Sequence, residues 1–128
     1  MKKDPIFVLN TVAQTIFDKK GSNILALDLH GVSSVTDYVI IAEGNVDRHV
    51  VSIAQAVRDS LEKIGENPIY VEGMSIGDWV VLDYGNFMVH LFMPGVREKY
   101  QLERLWQEGE IVDLQINSSI DKVASYSS

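Results

Sequence analysis

Few side chains in this chain can carry chemistry. There is no cysteine, which excludes disulfides, thiolate zinc sites, iron–sulfur clusters and thiol nucleophiles. The histidines, His30, His49 and His90, lie on different predicted elements, and none has ligand spacing to another. A His-and-carboxylate metal site could arise only through folding. His90 and Asp83 fall diagonally across what reads as a β-hairpin, within hydrogen-bonding reach in principle. Such a pair is either a general base with its orienting acid or a structural pair inside a sheet. No serine lies on these strands to serve as nucleophile. The glycine-rich phosphate loops and the H-E-x-x-H zinc motif are also missing.

Asp28-Leu29-His30 ends a predicted strand and precedes Gly31 and a serine-rich turn. Paired carboxylates two residues apart at such a place can hold two cations for nucleotidyl transfer. Here the second position is His30, so a hard-cation site lacks its second acid. Asp28 therefore reads as a turn or capping residue.

A different chemistry, recognition of another protein, is written near residue 100. The pattern predicts a helix from about Val96 to Trp106. At about 100° per residue, Leu102, Leu105 and Trp106 share one face. Tyr100 falls nearly opposite, with Arg97 and Arg104 beside it. An exposed tyrosine between arginines has the composition of an interface hot spot. The plainer alternative is a solvated helix whose tyrosine covers local apolar surface. Trp79, just after the loop at residues 73–78, is either a second anchor or ordinary edge packing.

These side chains need elements to hold them. Asp4 can cap a helix from Pro5 to Lys20 whose stripe is Ile6, Leu9, Ala13, Ile16 and Phe17, with Gly21 as its stop. Ile24–Leu29 and Tyr38–Ala42 are near-continuous apolar runs, as in strands covered on both faces. Asn45 is placed to cap a second helix with the stripe Val46, Val50, Ile53, Ala54, Val57, Leu61 and Ile64. A right-handed crossover then makes the short strand Ile69–Glu72 parallel to Tyr38–Ala42. Trp79–Tyr84 and Phe87–Met93 form a hairpin about Gly85-Asn86. The two-residue loop fixes its register. Tyr84 then faces Phe87, Leu82 faces Val89 and Val80 faces Leu91 on an apolar side. Asp83 faces Met88, Val81 faces His90 and Trp79 faces Phe92 on a mixed side. The order α-β-β-α-β-β-β-α predicts a mixed α/β (α+β) fold, one five-stranded sheet with packed helices. The domain is expected over residues 1–114, with a frayed polar tail over 115–128.

Composition narrows the function further. The chain has 128 residues, 46% hydrophobic and 23% charged, as for one folded domain. Its net charge of −7 argues against phosphate neutralisation, hence against nucleic acid as the primary ligand. No apolar run is long enough to span a bilayer, and the N-terminus resembles neither a signal nor a transit peptide. The expectation is a cytoplasmic protein.

Six stretches together resemble the ribosomal silencing factor family, also called Iojap-like. They are Ala26–Leu29, Ser33–Tyr38, Asp47–Val50, Val71–Gly73, Trp79–Gly85 and the run from Val89-His90-Leu91-Phe92 through Arg97–Trp106. The resemblance spans residues 5–114, and residues 115–128 look like an extension beyond the usual family end. Met93-Pro94-Gly95 departs from a more polar family turn. The resemblance implies a nucleotidyltransferase-like fold without catalytic acids, and a protein that is not an enzyme and needs no cofactor. It implies binding to the large ribosomal subunit through its ribosomal protein fourteen, steric blocking of small-subunit joining, and reduced translation when nutrients run short. It also implies a role in large-subunit maturation in some organelles, and a homodimer off the ribosome. Trp79, Tyr100 and Leu102 match family positions at the ribosomal-protein contact, with Arg97 and Arg104 read beside them from the helix pattern. The alternative function is a degenerate nucleotidyltransferase-like domain with residual nucleotide or metal binding at Asp28.

Overall fold

A computed structural model describes residues 4–117. Asp4 caps α1 (Pro5–Asp18) by accepting the Ile6 N–H at 3.1 Å. The chain continues through β1 (Ser22–Asp28), β2 (Tyr38–Glu43), α2 (Asp47–Lys63), β3 (Tyr70–Glu72), β4 (Trp79–Asp83) and β5 (Phe87–Phe92). It ends with α3 (Pro94–Tyr100), α4 (Leu102–Leu105) and β6 (Glu110–Ile111). Among the described residues no helix is long and apolar enough to cross a membrane.

The strands form one sheet in the order β3-β4-β5-β2-β1-β6. It has six strands rather than five, because Glu110–Ile111 adds a short edge strand antiparallel to β1. β2 and β5 pair in parallel at the centre, and every other pairing is antiparallel. β3 and β2 therefore point the same way, as the crossover requires, but β4 and β5 lie between them.

The hairpin has the expected register, from Trp79 opposite Phe92 to Asp83 opposite Met88. Its turn closes with the Tyr84 N–H donating to the Phe87 carbonyl at 2.9 Å. Val80, Leu82, Tyr84, Phe87, Val89 and Leu91 all enter the main core beneath α1 and α2. The α1 stripe is rotated from the expected one. Val8 and Val12 are buried with Leu9, Ala13 and Ile16, while Ile6 faces solvent and Phe17 is half-buried.

The N-cap of α2 is Val46, not Asn45. No side chain caps it; instead His49 Nδ1 accepts the Asn45 N–H at 2.8 Å and its Nε2–H donates to the Lys19 carbonyl at 2.7 Å. These two bonds set the His49 tautomer and tie the end of α1 to the start of α2.

Val112 and Leu114, at the end of the expected domain, pack against the main core. The first residues of the expected tail are tied down as well. The Gln115 N–H donates to Asn10 Oδ1 at 2.8 Å, and the Asn117 N–H donates to Gln14 Oε1 at 2.6 Å. The rest of that tail lies outside the described residues.

Candidate functional site

The second face of the sheet carries a smaller core of Leu27, Leu29, Val39, Ile41 and Phe92. Trp79, Met88, Val96, Leu102 and Trp106 pack over it, half-buried. Neither large helix covers this face; α3 and α4 lie on its margin. β4 and β5 place Trp79, His90 and Phe92 side by side, because alternate strand residues share a face. Trp79 sits 5.0 Å from Phe92 and 4.9 Å from Tyr100, ring centre to ring centre. Tyr100 is 50% exposed and forms the outer layer of this stack. Lys99 Nζ lies 5.5 Å from the centre of its ring.

His90 belongs to this stack, not to an Asp–His pair. Its Nδ1 accepts the Trp79 indole N–H at 3.1 Å, and Trp106 lies 5.7 Å from its ring. The register puts Trp79 and Asp83 at equal diagonal offsets from His90. Asp83 is taken by the turn, where its Oδ1 accepts the Gly85 N–H at 2.8 Å. The imidazole proton is therefore on Nε2, and that buried atom has no hydrogen-bond partner among the described residues. Burial pushes the His90 pKa down to about 4, against the opposing charge of Asp83. A base this weak and this enclosed is poorly suited to proton transfer near neutral pH.

The helix predicted over 96–106 is two helices. Gln101 adopts a left-handed conformation (φ 48°, ψ 52°) and ends α3. Two side chains lie elsewhere than one continuous helix predicts. Leu105, expected inward, is 68% exposed. Arg97, expected on the exposed flank of Tyr100, is buried with its side chain only 10% exposed. It donates from Nε to Glu103 Oε2 at 2.9 Å and from Nη1 to the Asn23 carbonyl at 2.6 Å and Glu43 Oε2 at 3.2 Å. Leu102 and Trp106 do face inward, and Arg104 is exposed, its Nη1 donating to Gln101 Oε1 at 3.0 Å. Of the residues expected at an interface, the fold thus gathers Trp79, Tyr100 and Leu102, leaves Arg104 exposed and withdraws Arg97. An open cleft of about 430 Å³ lies beside them, with Arg97 and Glu43 in its wall.

Asp28 does not stand free for a cation. Its Oδ1 accepts both the His30 N–H at 2.9 Å and the His30 Nδ1–H at 2.6 Å. Those bonds hold the Asp28 carboxyl below its usual pKa and raise that of His30. Among the described residues no three His, Asp or Glu side chains gather as metal ligands. Gly73-Met74-Ser75-Ile76-Gly77 spells G-x-S-x-G, the letters of a nucleophile elbow. An elbow requires a strand-to-helix turn. This segment is the loop between β3 and β4, and Ser75 is exposed there.

Sequence reasoning missed Asn23, Glu43 and Glu103. Only Glu43 left a signal, as an acid ending a strand that is otherwise buried.

The family model described as "Ribosomal silencing factor during starvation" matches residues 2–127. The chain belongs to the ribosomal silencing factor family. The match includes most of the segment that looked like an extension beyond the family's usual end. The chain is 36% identical over 117 residues to the ribosomal silencing factor RsfS of Zymomonas mobilis, covering 91% of this chain and 88% of that protein. It is 37% identical over 107 residues to the RsfS of Bacillus subtilis, covering 84% and 91%. The crystal structure of protein CV0518 from Chromobacterium violaceum superposes with a TM-score of 0.80 at 29% identity, covering 90% of this chain and 95% of that one. The family's business is ribosome-associated regulation of translation, and these relatives are named silencing factors, not enzymes. A half-open aromatic surface suits such a role better than the occupied polar sites do.

Proposed function

We propose that this protein represses translation by binding the large ribosomal subunit through ribosomal protein fourteen and standing where the small subunit must dock. The observation that supports this most is the close contact of Tyr100 with Trp79, rings tilted by 40°, an outward aromatic anchor with a half-buried base. Tyrosine and tryptophan in such a setting give large contact area at low entropic cost. A standard interface of about 800 Å² per partner is enough to occlude a subunit. The net charge of −7 repels rRNA phosphates and leaves a protein surface as the preferred target. No catalysis is needed: the factor acts by occupying space. It works in the cytoplasm, and off the ribosome a second copy takes the same aromatic surface.

The test is sedimentation through a gradient with purified large subunits, before and after small subunits are added. Tyr100→Ala with Arg104→Glu changes exposed side chains and leaves the core intact. Loss of a hot-spot tyrosine costs at least about 2 kcal/mol, a weakening of about thirtyfold. The double variant should therefore stay at the top of the gradient and let joined ribosomes form. Co-sedimentation equal to that of the unaltered protein would reject this surface.

A further inference from the structure

The break at Gln101 has no local cause. Apart from Tyr100, the residues from Glu98 to Leu105 are good helix formers, and a glutamine takes a left-handed conformation only at a cost. Another left-handed residue, Asn23 (φ 53°), lies at the register shift near the start of β1. Arg97 lies between the two. Its guanidinium reaches the Asn23 carbonyl, Glu43 at the end of β2 and Glu103 in α4. Asn23 Nδ2 completes the cluster by donating to Glu43 Oε1 at 3.1 Å. A guanidinium suits this place because its donors leave one rigid plane in fixed directions.

The Arg97–Glu103 bond is incompatible with an unbroken helix. Residues six apart would be about 9 Å apart along the axis and about 120° apart around it. Here the two side chains meet at 2.9 Å. Tyr100 and Leu102 would likewise lie about 200° apart on one continuous helix. Instead Tyr100 stacks on Trp79 while Leu102 joins the same half-buried cluster as Trp79.

We propose that Arg97 is a positioning residue for the docking surface: by holding Glu103 to Glu43 and Asn23 it imposes the break at Gln101, and the break sets Tyr100 and Leu102 around Trp79. This rests on the docking reading of that surface given above. Arg97 thus acts from beneath the interface and does not touch the partner.

The experiment pairs binding to purified large subunits with hydrogen exchange on the intact protein. Glu103→Gln removes one carboxylate and leaves the Arg97–Glu43 pair. Arg97→Lys keeps the charge and loses the fork. Each should weaken binding about tenfold, the loss expected for one hydrogen bond to a charged group. Each should also speed exchange at residues 102–106, while β4 and β5 keep their protection. Tyr100→Ala is the control, weakening binding with exchange unchanged. If Tyr100→Ala weakens binding while Glu103→Gln and Arg97→Lys bind and exchange like the unaltered protein, the positioning role is overturned and the docking reading stands. Faster exchange throughout the sheet would make Arg97 a general stabiliser and overturn the role too. If Tyr100→Ala binds normally, the docking reading fails and takes this inference with it.

Discussion

Lowering the pH from 7 to 5 should weaken the fold through His90. The imidazole is buried among Trp79, Phe92 and Trp106, and its pKa falls from the ordinary 6.5 to about 4. Burial is the larger cause, and the nearby charge of Asp83 works against it. The sign follows from linkage. The unfolded chain takes up a proton near 6.5 and the folded one only near 4, so acid favours unfolding. The stabilisation is complete above the upper value and is lost as the pH falls toward the lower one. At about 1.4 kcal/mol per pKa unit the whole interval is worth about 3 kcal/mol, of which about 2 kcal/mol is gone at pH 5. Urea unfolding at pH 7, 6 and 5 measures it, with His90→Phe as the comparison. Phenylalanine removes the partnerless Nε2–H but leaves the Trp79 N–H without its acceptor, two effects of opposite sign. The two proteins should therefore be close in stability at pH 7. The unaltered protein should then lose about 2 kcal/mol more than the variant by pH 5. Asp28 and His30 titrate in both and cancel in the difference. Parallel pH profiles would refute the burial argument.

Two further substitutions test the packing. The Tyr84 hydroxyl is buried without a partner among the described residues, and burial pushes its pKa up to about 12. Tyr84→Phe keeps the stack on Phe87 and should raise stability by about 1 kcal/mol in thermal unfolding; a lower midpoint would mean that the hydroxyl is satisfied. Gly73 has φ +87°, and a Cβ there would run into the Trp79 carbonyl oxygen. Gly73→Ala should cost at least about 2 kcal/mol and displace the start of β4, which an unchanged melting midpoint would contradict.

The parts of the fold legible in the sequence were those with local causes. Gly85-Asn86 fixes a two-residue loop, so the facing of all six side-chain pairs followed from counting. The α2 stripe was plain because polar and apolar residues alternate at helical spacing through seventeen residues. The failures have non-local causes. Glu110–Ile111 is too short to show a strand pattern and exists because β1 offers a free edge. The break at Gln101 is set by contacts to residues 23 and 43, far away in sequence. Helical geometry therefore failed at Leu105, beyond the break, and Arg97 is drawn inward by the same distant partners, although Tyr100 was placed on the exposed side. His90 had two equivalent diagonal neighbours, and the pattern could not say that the turn would claim Asp83.

The parallel seam between β2 and β5 dictates when this molecule becomes competent. Tyr38 must find Phe87, and Glu43 must find Phe92, each across about fifty intervening residues. Such long closures come late in folding, after local hairpins and helices have formed. The anchor rings stand on one side of that seam, while the acid that fastens Arg97 stands on the other. A nascent chain still missing its last strands and helices therefore lacks both the seam and the contacts among Trp79, Phe92 and Tyr100. A regulator built this way joins the two halves of its sheet only when its own synthesis is nearly complete.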